Sequence, residues 1–255
     1  MSRKDRDGMS KRELFRERRR RTQTRNRIIS IGLVVFGALL LALFLIGPNL
    51  QPTNIKTVTP LTRPETNFNE VGDPNALVVV DEYADFQCPA CAFFSKNTEQ
   101  ALLDAYVTTG KVLFRFHSVG RFIDSRDPAM ESVQSAEAAY CAGDQNKLWE
   151  YHDYLLGNQL GENVGSFTDR RLTAIAETLG LDMSQFNSCY NNQKYREKVL
   201  EDGAEAQSRG ITSTPTFIIS YEVNGQTVTD TITRAEAFSV FQQKLDAALA
   251  AAGAQ

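Results

Sequence analysis

Cys88-Pro89-Ala90-Cys91 stands between a run that reads as a buried strand and a run that reads as a helix. This junction limits the possible folds more than any other feature of the chain. Ala76-Leu77-Val78-Val79-Val80 is continuously apolar and β-branched, the pattern of a strand covered on both faces. From about Pro89 to Thr109 the apolar spacing is helical, and Gly110 supplies the stop. Val112-Leu113-Phe114-Arg115-Phe116 then reads as a second strand. Strand, helix, strand in that order makes a βαβ unit with the two strands parallel.

The spacing of the cysteines carries chemistry. Cys88 and Cys91 are three residues apart, on one side of the first helical turn. At a helix N-terminus, unpaired backbone N–H groups and the macrodipole stabilise a thiolate, which marks Cys88 as the attacking sulfur. Pro89 fits there because its missing N–H had no intrahelical partner. Cys91, one turn in, is better shielded and placed to resolve a mixed disulfide. A zinc knuckle also uses C-x-x-C, but it needs two more ligands at close spacing, and the chain offers only His117 and His152. No metal and no other cofactor is expected; a purely structural Cys88–Cys91 bond is the remaining alternative.

Two further positions bear on this pair. Glu82 lies six residues before Cys88, where a carboxyl could exchange the proton of Cys91 if burial raises its pKa. The plainer use is a solvated strand-end acid, which is the expectation for Asp81 and Asp85. Thr214-Pro215 precedes the strand run Pro215–Ser220. A cis bond there would offer the Thr214 backbone to an extended substrate peptide, and an ordinary trans proline at a strand start is the alternative.

Between the two halves the signal is almost wholly helical, with segments expected at 129–142, 146–158, 168–179, 183–191 and 194–208. After Pro215–Ser220 a hairpin is expected through Asn224-Gly225 into Thr227–Thr233, then a helix from about Arg234 to Ala251.

The N-terminal quarter has a different character. Residues 1–27 hold twelve Lys/Arg against four Asp/Glu; that net of +8 within an overall charge of -3 leaves -11 for the rest. An acidic folded body argues against nucleic-acid binding, whereas a basic leader suits the anionic inner face of a membrane. From Ile28 to Gly47 there is no charge, and twenty residues at about 1.5 Å each span a hydrocarbon core of ~30 Å. Arg16, Arg18–Arg21, Arg25 and Arg27 all precede this run, so the positive-inside rule puts the N-terminus in the cytoplasm and residues after about 50 outside. A cleaved signal peptide competes with this anchor, but Ile46-Gly47-Pro48-Asn49-Leu50 offers no small-x-small site. Residues 48–75, with Pro48, Pro52, Pro60, Pro64 and Pro74, read as a stiff extended tether.

Glu82, Cys88-Pro89-x-Cys91 and Thr214-Pro215-Thr216-Phe217, with helices between the two halves, resemble the DsbA-like branch of the thioredoxin superfamily. Ala139-Tyr140-Cys141-Ala142-Gly143 and Leu148-Trp149-Glu150-Tyr151-His152-Asp153 resemble its helical insert. The resemblance implies an α/β thioredoxin-like fold, with the domain at 76–127 and 210–252 and an inserted helical subdomain at 128–209. It also implies a redox-active Cys88–Cys91 pair, Glu82 as the acid beneath it and Pro215 as the cis-proline beside it. Cys141 and Cys189 would form a structural disulfide in the insert, worth roughly 4 kcal/mol on a chain-entropy argument. Two buried free thiols are the alternative. The implied function is a membrane-anchored oxidase that passes its disulfide to unfolded exported proteins. Its re-oxidation would come from a DsbB-like protein or a vitamin K epoxide reductase homologue in the membrane. Strongly oxidising members often carry His between the cysteines, and this chain has Ala90. A reductase or isomerase with the same centre, or a scaffold in a membrane complex, are the competing functions.

Overall fold

The computed structural model describes residues 11–50, 53–120 and 130–253, without the side chains of 11, 13, 14, 17, 39 and 42–50. The expected boundary at 127–128, residue 129 and the first ten residues of the leader therefore lie outside the described residues. The chain divides into two compact units, Met1–Pro52 and Thr53–Gln255.

The first unit is one continuous helix, α1 (Lys11–Leu50). It begins within the basic leader and runs on past residue 47, so the expected leader and span differ in composition but share one backbone element. Its described apolar side chains are exposed, Ile28 at 65% and Phe36 at 61%. Among the described residues no helix is long and apolar enough to cross a membrane. Seven residues of the apolar run, 39 and 42–47, have no described side chain.

The second unit is built on six strands: β1 (Thr66–Asn67), β2 (Glu70–Val71), β3 (Val78–Ala84), β4 (Val112–Ser118), β5 (Thr216–Val223) and β6 (Gln226–Thr233). Their order is β1-β2-β4-β3-β5-β6. β3 and β4 are parallel, as the βαβ order requires, and the other pairs are antiparallel. The link between β3 and β4 is helical throughout: α2 (Pro89–Phe94), a wide π turn (Ser95–Glu99), α3 (Gln100–Leu102) and a second π turn (Leu103–Val107). The block after β4 contains α4 (Glu131–Gly143), α5 (Leu148–Gly157), α6 (Asp169–Thr178), α7 (Met183–Asn191) and α8 (Arg196–Ser208), within two residues of the positions their periodicity predicts. α9 (Phe238–Gly253) closes the chain.

Adjacent strand residues face opposite sides, so Phe217 and Ile218 assign the layers. Phe217 packs on Phe94 of α2 and Phe241 of α9, with ring centroids 4.5 and 4.8 Å away. Ile218 clusters instead with Tyr83 and with Ala206 of α8. The helical block therefore shares its core with the sheet instead of forming a separate body.

Three expectations need correction. β3 runs to Ala84, not Val80, because its acids are buried and partnered. Asp81 meets Arg115 at 3.2 Å and His117 at 3.1 Å, and Asp85 accepts from Ser132 Oγ at 2.8 Å, so neither is a solvated strand-end acid. α9 starts four residues late. Arg234 takes a left-handed φ of 72° while its N–H bonds Pro215 O at 2.8 Å, which holds the segment beside β5.

The third concerns residues 53–75, which are not a free tether. They supply β1 and β2, with β2 paired on β4. Upstream, the segment straps the domain by reciprocal amide contacts: Lys56 with the Asn158 side chain, and Thr62 with that of Gln100. Val58 seats on Gly157, where an added Cβ would come within 2.6 Å of its methyl carbon. The strap's backbone groups at Lys56 and Thr62 are thus satisfied by side chains of the domain and not by solvent.

Candidate active site

The turn from β3 into α2 is fixed before the cysteines begin. Asp85 Oδ1 accepts from the Gln87 N–H at 2.8 Å, and Asp85 O accepts from the Cys88 N–H at 3.0 Å. Gln87 is fully buried and donates to Ser132 Oγ at 2.9 Å, while its Oε1 accepts from Asn163 N at 2.7 Å. Gln159 reaches Phe86 O at 2.6 Å, and the Phe86 ring packs on Phe116. This turn is thereby held by α4 and by the loop after α5, so the position of Cys88 is set on both sides.

Cys88 is the N-cap of α2, extended, with Pro89 in the first turn. Its thiol donates to Thr214 O at 3.3 Å. The Thr214-Pro215 peptide is cis. Both cysteines are buried, Cys88 at 8% exposure and Cys91 at 1%, so Cys88 is the less enclosed of the two. The Cys88 thiol is pulled down to about 6, chiefly by hydrogen bonding from the Cys91 thiol. The Thr214 side chain and the N–H groups of Cys91 and Ala90 add to this, while burial opposes it. The helix start thus contributes, but the partner sulfur contributes more than the sequence argument allowed. Cys91 moves the other way: burial first, then the bond to Cys88 and the charges of Cys88 and Glu82, push its thiol well above the ordinary range.

Glu82 sits in the middle of the sheet opposite Phe116 and Phe217, not at a strand end. Its side chain therefore faces the layer of α2. Burial and the charge of Glu99 raise its carboxyl well above the usual range; the Cys88 thiolate adds to this and Arg63 opposes it. Burial thus favours the neutral form of this carboxyl over the charged one. Cys141 and Cys189 are bonded to each other, with Cα atoms 5.8 Å apart, joining α4 to α7 away from this centre.

Four residues of the site were not singled out from sequence. Arg63, on the strap, donates to Glu99 at 2.6 Å and to both oxygens of Asp153 at 2.7 Å, and its guanidinium lies 4.7 Å from the Trp149 ring centre. His152 Nδ1 lies 2.9 Å from Asp153 Oδ1. One signal was available: Arg63 is the only Lys or Arg between Lys56 and Lys96. Glu99, His152 and Asp153 could converge on a metal ion, but the Arg63 guanidinium already engages both carboxylates. His117, Asp202 and Glu205 form a second such group, on the opposite face, where Tyr140 and Tyr83 donate to the two acids.

A parallel β3–β4 pair, a dithiol at the start of the intervening helix and a cis peptide beside it define a thioredoxin-fold protein with a thiol centre. Residues 65–240 match the thioredoxin family, and the chain belongs to that family. Alpha-DsbA1 of Wolbachia pipientis shares the fold, with a TM-score of 0.61 over 75% of this chain and 96% of that one, at 22% identity. Among curated relatives, the chain is 31% identical over 149 residues to the Na(+)/H(+) antiporter NhaA 1 of Salinispora arenicola, covering 58% of this chain and 21% of the antiporter. It is 26% identical to a putative protein-disulfide oxidoreductase of Rickettsia bellii, over 69% of this chain and 64% of that protein.

The ranking of causes at Cys88 yields a test. Thiolate absorbance of the fully reduced chain should rise with a midpoint near 6. Cys91→Ala removes the strongest donor and should move that midpoint up by about one unit or more, the size of a hydrogen bond to a charged group. A midpoint unchanged in Cys91→Ala would return the whole effect to Thr214 and the helix start.

Proposed function

We propose that this chain is an extracytoplasmic thiol–disulfide oxidoreductase working as an oxidase, with Cys88 as the exchanging sulfur. The observation that carries this reading is the contrast between two neighbouring thiols, one less enclosed and easily ionised, the other fully enclosed and held neutral. In the oxidised protein a substrate thiolate attacks Cys88 Sγ. The Cys88–Cys91 bond breaks, its electron pair stays on Cys91, and a proton from Glu82 neutralises that sulfur. A second substrate thiolate then attacks the substrate sulfur of the mixed disulfide, and Cys88 leaves as its stable thiolate. The substrate loses two electrons and the Cys88–Cys91 pair gains them. The Thr214 backbone, 3.3 Å from Cys88 Sγ, is placed to hold an extended peptide.

The Rickettsia relative's name supports exchange on proteins. Unfolded exported chains are the substrates this reading requires. Re-oxidation falls to a quinone-linked membrane partner of the DsbB-like or vitamin K epoxide reductase type. The uncharged run Ile28–Gly47 behind an Arg-rich leader supports a single-pass anchor with the thiol domain outside.

Two experiments test these claims. Cys91→Ala should accumulate mixed disulfides with unfolded exported proteins in cells, because no resolving sulfur remains, and Cys88→Ala should trap almost none. Equal trapping by both variants would remove Cys88 from its role. A reporter fused after Gln255 should be active only where exported enzymes are active; activity in the cytoplasm would overturn the orientation and the oxidase reading with it.

A further inference from the structure

The charge buried beneath the dithiol comes from four separate elements. Glu82 is on β3, Glu99 on the π turn after α2, Asp153 and His152 on α5, and Arg63 on the strap that follows the proposed anchor. Arg63 and Glu99 are at most 4% exposed, and so is Asp153. A single guanidinium therefore serves three carboxyls and bonds only two of them. Glu82 Oε2 and Glu99 Oε2 have no protein partner among the described residues. His152 adds its ring nitrogen to Asp153, Asp85 closes the turn above, and Cys88 and Cys91 complete the groups facing Glu82. Neighbouring carboxyls in a dry site do not all ionise, so one of the three must hold a proton.

We propose that Arg63 is the positioning residue that assigns this proton to Glu82, by bonding Glu99 and Asp153 and leaving Glu82 as the carboxyl it does not bond. This rests on the redox reading above and adds to it a role for the strap. The proton then stands on the carboxyl of the central strand, on the face covered by the helix that carries Cys91. Without the guanidinium its bonds to Glu99 and Asp153 are lost, and the field around Cys91 becomes more negative. A strap expected to be a passive spacer would instead set the proton inventory of the dithiol. Its attachment through Lys56–Asn158 and Thr62–Gln100 upstream of Arg63, and the β2–β4 pairing downstream, fix its reach.

The test follows one step of exchange in the full-length chain. Cys88 is loaded as a mixed disulfide with glutathione, and release of glutathione by Cys91 is timed across a pH series. Arg63→Gln should raise the pH midpoint of release by about one unit, the effect expected for losing one nearby charge. Arg63→Lys, which keeps the charge but not the fork, should shift it less. Arg63→Gln combined with Glu99→Gln removes one charge of each sign and should bring the midpoint back toward wild type. A midpoint unmoved in Arg63→Gln, whatever its melting temperature, would overturn the proposal. So would a double variant displaced as far as Arg63→Gln alone. If Arg63→Gln does not fold, Arg63→Lys and the double variant carry the same comparison. Wild-type protein that releases no glutathione at any pH would overturn the redox reading itself.

Discussion

A sulfur anion at Cys88 depends on donors rather than on a neighbouring cation. No Lys or Arg stands between Cys88 and Cys91, and the side chain that contributes most is the Cys91 thiol. That donation works only while Cys91 keeps its proton, which its burial favours. Burial of Cys91, the raised Glu82 carboxyl and the ion pairs of Arg63 are therefore parts of one arrangement. Buried ion pairs cost desolvation, so the bonds of Arg63 are weak evidence for a role in stability.

The βαβ unit, the helical block and the hairpin at Asn224-Gly225 were legible because each rests on local patterns: apolar runs, a 3.6-residue period and a two-residue turn. Cys88, Cys91 and Glu82 could be picked out because their spacing placed them on elements that periodicity had already defined. The strap was not legible. Its prolines and threonines suggest an extended solvated chain, and only tertiary partners such as Asn158, Gln100 and Asp153 reveal where it lies. Glu99 was hidden for a different reason. Ser95, Thr98 and Glu99 are buried together at i, i+3, i+4, but three polar residues make no apolar stripe to mark a covered face. Asp81 and Asp85 were misread because a charged residue after an apolar run ordinarily marks the strand's exit to solvent, and here both acids find partners.

If the Cys88 thiolate is what gives the centre its oxidising character, the effect can be sized. An ordinary thiol is only a few per cent ionised at pH 7, whereas one near 6 is about nine-tenths ionised. The reduced form gains roughly tenfold, or about 30 mV for a two-electron couple. The gain is present above about pH 6 and fades as the pH falls through that value, where Cys88 becomes a thiol. Ala90 adds no charge beside the Cys88 sulfur.

Equilibrating the full-length chain with glutathione buffers of known poise at pH 7, and counting the free thiols of Cys88 and Cys91, tests this account most directly. The account predicts half-reduction at a potential above the roughly -270 mV of thioredoxin and below the roughly -120 mV of the most oxidising relatives, with the advantage shrinking below pH 6. Half-reduction at or below about -270 mV would contradict it, because the Cys88 thiolate would then lend the disulfide no oxidising power.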